Sequence, residues 1–102
     1  MAREIETKCI HLENEDKKSP YGAVSYPIYQ SATYAHPGVG QSTGYDYSRL
    51  QNPTREHLEK TVASLENGIN ALAFSSGMAA ITLMMELFKP GDHLIVDADL
   101  YG

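Results

Sequence analysis

From Ser19 to Gln51 the chain shows no apolar period. An amphipathic helix repeats apolar residues at i, i+3 and i+4, and a half-buried strand alternates them. This stretch does neither. It is written in Tyr, Gly, Ser, Thr, Pro and Gln, with few aliphatic residues. A structureless loop of that length is uncommon inside a compact domain. Disorder would account for it, but disordered segments are poor in aromatics, and six of the seven tyrosines lie between Tyr21 and Tyr47. The pattern predicts an arm that becomes ordered by lying on another surface. Tyrosine suits that task, because it buries a ring and keeps a hydroxyl to offer. Upstream, Ile5, Cys9 and Leu12 fit one helical face and predict a short helix within residues 3–13.

The pattern changes at Asn52. Asn is a good N-cap, and Pro53 stands where its missing N–H costs nothing. Leu58, Val62 and Leu65 then recur on one helical face, and Glu56 and Lys60 form an i,i+4 pair. Asn67-Gly68 stops this helix. Residues 70–74, "NALAF", read as a short strand. "SSGMAAITLMMELF" reads as a helix, apolar nearly all round and therefore expected to be buried. Lys89, Pro90 and Gly91 end it, and residues 93–98, "HLIVDA", read as a second strand. The order helix, strand, helix, strand predicts an α/β fold with a mostly parallel sheet. The crossover exceeds the roughly dozen residues that a parallel connection needs.

The 102 residues allow one small domain. A net charge of -5 with no basic run argues against a nucleic-acid surface. The charged N-terminus has no signal-like apolar core, and the longest apolar stretch is broken by Glu86, so no membrane span is expected. The single cysteine, Cys9, has no internal partner, which points to a reducing, cytoplasmic setting. Neither it nor the four histidines has metal-ligand spacing, so no metal is expected.

The join "AFSSGMAA", residues 73–80, carries the chemistry. The first turn of a helix has free N–H groups and the positive end of the dipole. Gly77 has no Cβ, so a ligand can approach its backbone, and Ser75 and Ser76 supply hydroxyls. Together they form an anion site at the end of a strand. Standing alone, the same residues are more often just an N-cap and a turn. A P-loop is excluded because no Gly-Lys-Ser/Thr follows. On the arm, Tyr47 and Arg49 alternate, so in an extended segment they point to one side. Arg49 is a bidentate donor to phosphate or carboxylate, although a surface carboxylate would satisfy it as well.

"PIYQSATY", "YDYSRLQNPTR", "SSGMAA" and "GDHLIVDADLYG" follow one another at a spacing that resembles the start of the Cys/Met metabolism family of pyridoxal-phosphate enzymes. Its members include cystathionine synthases and lyases, methionine γ-lyase and O-acetylhomoserine sulfhydrylases. The resemblance runs from about Gly22 onward. It implies the fold of a fold-type I pyridoxal-phosphate transferase, with pyridoxal 5'-phosphate as cofactor. It also implies β/γ-elimination or γ-replacement on a small amino-acid substrate: cystathionine, methionine or an O-acyl-homoserine.

The resemblance further implies that the arm crosses to a neighbouring subunit of a homo-oligomer, usually a tetramer. Tyr47 and Arg49 would bind that neighbour's cofactor phosphate. The N–H groups of Gly77 and Met78 would hold the phosphate of the chain's own cofactor, and Tyr101 would stack on the pyridine ring. The family is several times longer, and its Schiff-base lysine comes later; Lys8, Lys17, Lys18, Lys60 and Lys89 do not match it. The chain is therefore expected to be an N-terminal fragment that holds no catalytic residue and is inactive alone. Residues 1–51 would be the arm, and 52–102 the incomplete start of the cofactor domain. The competing expectation is a small non-catalytic module binding a phosphorylated ligand or a partner.

Overall fold

A computed structural model describes residues 4–12 and 19–101. Three helices follow in order: α1 (Ile5–Lys8), α2 (Pro53–Leu65) and α3 (Gly77–Met85). α1 is a single turn, shorter than the helix expected within 3–13, and it packs against α2. α2 starts where the sequence predicts. Asn52 is extended, and its side-chain oxygen accepts from the Thr54 N–H at 2.8 Å, with Pro53 in the first turn. The stop is an αL cap. Asn67 takes the positive φ of 53°, and the Gly68 N–H reaches back to the Ala63 carbonyl at 2.8 Å. Asn, and not Gly, therefore holds the left-handed position, which its short polar side chain tolerates. α3 is capped by the Ser76 hydroxyl, which accepts from the Ala79 N–H at 3.1 Å. It ends in a tightened turn and then the Lys89–Asp92 bend, where Gly91 has a φ of 102°.

The arm is expected to lie on another surface. Among the described residues, much of it folds back on the first half of α2. Thr33 and Tyr47 form an antiparallel bridge. Beside it the Tyr34 N–H donates to the Asp46 carbonyl at 3.2 Å, and the Ser48 N–H to the Ala32 carbonyl at 2.9 Å. The intervening residues thus make a closed loop. Its base is fixed to the helix start. The Tyr29 N–H donates to Thr54 Oγ1 at 2.8 Å, and Asn52 Nδ2 donates to the Tyr29 carbonyl and to Ser48 Oγ, each at 3.1 Å. The Tyr26 ring stacks on His57 with centroids 3.9 Å apart. None of these contacts is periodic in sequence, because most join residues far apart along the chain through backbone and polar atoms.

Two expectations fail. Residues 70–74 and 93–98 form no strand: among the described residues the Thr33–Tyr47 bridge is the one β pairing. A strand is defined by a partner, and neither segment pairs with the other. α3 is not buried either. It contains no buried residue, and Ile81, Leu83, Met84 and Met85 all stand well exposed. The predicted apolar face of α2 is likewise open, with Leu58 54% exposed. The arm covers a different, more polar side, through Asn52, Thr54, Glu56 and His57. Only Pro53 and Ala63 are buried among the described residues. The radius of gyration is 17.9 Å, against about 13 Å for a compact chain of this length. Local caps and the arm clasp, and no shared core, define these elements.

Asn52 supports both the helix cap and the clasp, and the two roles use different atoms. Asn52→Asp keeps the capping oxygen and removes the Nδ2 donors; Asn52→Ala removes both. Thermal melts of the protein should place both variants below the parent. The alanine variant should be the lower by about 1 kcal/mol, the usual worth of a cap.

Candidate functional site

The start of α3 has two N–H groups to spare. Ser76 satisfies Ala79, and the Ala80 N–H bonds the Ser76 carbonyl at 3.2 Å. The N–H groups of Gly77 and Met78 have no acceptor among the described residues. The helix dipole adds its positive end at the same point. Gly77 is not required by the fold around it: its φ lies outside the left-handed region, and a Cβ built there meets nothing within 4 Å. The space beside its backbone is open, and a side chain would begin to fill it. Two free donors, a dipole end and open room fit a phosphate.

Tyr47 and Arg49 are brought together, by a route different from the one expected. The segment is a turn: the N–H groups of Leu50 and Gln51 both donate to the Tyr47 carbonyl at 2.9 Å. That turn, and not strand alternation, carries the Arg49 guanidinium to 5.1 Å from the Tyr47 ring centroid, a cation–π contact. Arg49 makes no ion pair with any described carboxylate. Its guanidinium donors are therefore available to an anion. The alternative of a surface ion pair for Arg49 is not found among the described residues.

Tyr101 is 85% exposed, and no hydrogen bond or ring contact ties it to Gly77, Met78, Tyr47 or Arg49. The five residues therefore stand as three separate pieces: the α3 start, the Tyr47–Arg49 turn and Tyr101. The clefts lie elsewhere. One of about 540 Å³ runs between the arm and α2, lined by Tyr45, Asn52, Arg55, Glu56 and Glu59 among others. A more apolar one of about 440 Å³ lies between residues 70–74 and α3. Neither is lined by any of the five residues, although Leu50 and Gln51 of the turn line the first.

Sequence reasoning passed over the residues that hold the Tyr47–Arg49 turn. Tyr45 carried no expected role, yet its hydroxyl donates to Glu56, which also pairs with Lys60. Partial burial, then the Glu56 carboxylate, raise the Tyr45 phenol above its ordinary pKa, so it remains a donor. Arg55 donates to the Leu50 carbonyl and, at a long 3.5 Å, to the Arg49 carbonyl. It also lies 3.8 Å from Glu59, whose carboxylate accepts the Ala73 N–H at 2.9 Å. Only the Glu56–Lys60 spacing was visible in the sequence. Arg55 reads there as a solvated residue of a first helical turn.

The structure offers a helix start with two N–H donors unmet among the described residues and, as a separate piece, an arginine turn whose guanidinium has no described ion partner. The family model for Cys/Met metabolism PLP-dependent enzymes matches residues 6–102. The chain belongs to this family. It is 54% identical over its full length to a cystathionine γ-synthase/O-acetylhomoserine (thiol)-lyase of Bacillus subtilis, covering 27% of that protein. It is 58% identical over 81 residues to cystathionine γ-synthase of Haemophilus influenzae, covering 79% of this chain and 22% of that one. The crystal structure of cystathionine γ-synthase from Xanthomonas oryzae pv. oryzae, in complex with aminoacrylate and cysteine, superposes with a TM-score of 0.77. The two are 34% identical, over 90% of this chain and 24% of the other. The chain thus spans about a quarter of the relatives it matches. No helix among the described residues is long and apolar enough to cross a membrane.

The open space at Gly77 generates a test that separates fold from ligand. Gly77→Ala should leave the melting temperature of the protein unchanged or slightly raised, since alanine favours a helix by up to about 1 kcal/mol over glycine. Inorganic phosphate should bind that variant more weakly than the parent, by calorimetric titration of the cofactor-free protein. Equal phosphate affinity would move the anion site away from α3.

Proposed function

We propose that this chain is the arm and the first part of the cofactor domain of a pyridoxal-phosphate enzyme of sulfur amino-acid metabolism. The reaction is β/γ-elimination or γ-replacement on cystathionine, methionine or an O-acyl-homoserine. The observation that carries the reading is the pair of unmet N–H groups at Gly77 and Met78, beside open space, in a chain of this family. The named relatives support the reaction class: they are cystathionine synthases and a thiol-lyase. The alternative of a small non-catalytic phosphate-binding module is not favoured by those relatives.

In this reading residues 1–51 are the arm, and residues 52–102 begin the domain. Residues 70–74 and 93–98 become strands of a mostly parallel fold-type I sheet once their partners are present, and that sheet covers the apolar side of α3. The enzyme works as a homo-oligomer, a tetramer built from dimers with shared sites, in the cytoplasm. No described group of His, Cys, Asp and Glu could hold a metal ion.

Pyridoxal phosphate, when bound, supplies the electron sink for chemistry at the substrate's α, β and γ carbons. This chain's residues hold and orient it. The Gly77 and Met78 N–H groups take the phosphate of the chain's own site, and Ser76 keeps that turn in shape. Tyr47 and Arg49 add a hydroxyl and a guanidinium to the phosphate of the neighbouring subunit's site. The clasp of the arm to α2 leaves the Arg49 side chain turned outward, free to reach across. Tyr101 stacks on the pyridine ring and fixes its plane. The covalent lysine lies outside these residues, so the chain alone carries no turnover.

Two outcomes are expected in the whole enzyme. Arg49→Ala should weaken cofactor retention by roughly 2 kcal/mol, the scale of a hydrogen bond to a charged group. Mixed with a variant lacking the cofactor-bonding lysine, it should regain activity, because one site in the hybrid draws each intact group from a different subunit. No recovery in verified hybrids would place Arg49 in its own subunit's site. Separately, Tyr101→Phe should keep most cofactor affinity in a fluorescence titration, and Tyr101→Ala should lose much of it. Equal affinity in the two would remove stacking as the role of Tyr101.

A further inference from the structure

We infer that Arg55 is a positioning residue for the phosphate site, setting the Arg49 turn against α2 and, through Glu59, against the segment that leads to Gly77. The inference rests on the reading that Arg49 binds the cofactor phosphate. Arg49 itself has no side-chain anchor except the Tyr47 ring. Its backbone does have one. The Arg55 guanidinium spans the carbonyls of Arg49 and Leu50, the two residues that carry the turn away from Tyr47. A planar fork can reach both carbonyls, and an ammonium is a single point that cannot match that geometry.

The other edge of Arg55 is steered by Glu59 at 3.8 Å. These two are an i,i+4 pair on α2, which would ordinarily contribute little at a surface. Glu59 is better shielded than a typical surface carboxylate, with its side chain 17% exposed, and it has a second duty. Its Oε1 accepts the Ala73 N–H at 2.9 Å. Ala73 stands three residues before Ser76, the cap of α3. One side-chain pair therefore touches the backbone at Arg49 and Leu50 and the backbone just before α3. It joins Arg49, which serves one cofactor, to the approach to Gly77, which serves another.

The test is a double-mutant cycle in the whole enzyme, read as the dissociation constant of pyridoxal phosphate and as the melting temperature of the cofactor-free protein. Arg55→Ala should raise the dissociation constant by roughly tenfold, the consequence of releasing about one hydrogen bond's worth of order. In an Arg49→Ala background the same change should raise it by less than about twofold, because a positioning residue has nothing left to position. Arg55→Lys, which keeps the charge beside Glu59, should fold as the parent does and behave like the alanine variant in the titration. Equal, additive losses in both backgrounds would show a general structural role and overturn the inference. Full affinity in Arg55→Lys would also overturn it. If Arg49→Ala alone leaves the dissociation constant unchanged, the phosphate reading of Arg49 fails first, and the positioning role falls with it.

Discussion

The side chain of Asn52 is the point on which the described structure turns. Its oxygen completes the first turn of α2, and its amide nitrogen donates to the Tyr29 carbonyl, to Ser48 and, at 3.4 Å, to the Tyr34 hydroxyl. A cap that only capped would leave the arm free. An amide that only tethered the arm would leave an N–H of α2 unmet. By doing both, one residue fixes where the helix begins and where the arm returns to it. The turn that starts at Tyr47 contains Ser48, which Asn52 holds, and closes at Gln51, the neighbour of Asn52, so its placement follows from the same anchor. Without a core to impose order, hydrogen bonds of this kind decide the local shape.

The apolar residues describe what the chain is made to join. α3 and residues 93–96 keep Ile81, Leu83, Met84, Leu94, Ile95 and Val96 in contact with water, with Ile95 86% exposed. At about 25 cal/mol per Å² of apolar surface, such exposure is costly to leave uncovered. The elements nearest the arm are satisfied by polar contacts within the chain, and those nearest Gly77 are not satisfied by apolar ones. Coverage of about a quarter of its relatives' length accords with that imbalance.

What was legible in the sequence was local chemistry. Asn52-Pro53 announced the start of α2, Asn67-Gly68 its end and Ser76 the start of α3, because caps depend on residues within a few positions of each other. The motifs of the arm and of the α3 join indicated the family. What was not legible depended on partners far along the chain. The return of Tyr29 to Thr54 has no period to reveal it. Neither 70–74 nor 93–98 meets a pairing partner among the described residues, and β-branched and apolar runs cannot report whether a partner is at hand. The turn at Tyr47 was misread as an extended segment, yet the proximity of Tyr47 and Arg49 survived, since a turn can bring i and i+2 side chains to one side as alternation does. Arg55 escaped notice because its importance lies in the backbone carbonyls it meets, and carbonyls are the same at every residue.

In the proposed function one chain presents two half-sites for two different cofactors, so a complete phosphate site would exist only between subunits. Binding and association are then linked, each stabilising the other. The direct measurement is pyridoxal-phosphate affinity of the whole enzyme as a function of subunit concentration, with oligomeric state followed in parallel by analytical ultracentrifugation. Affinity should fall together with the oligomer as the protein is diluted, and added cofactor should shift association to lower concentration. Affinity that stays constant while the oligomer dissociates to monomers would contradict it.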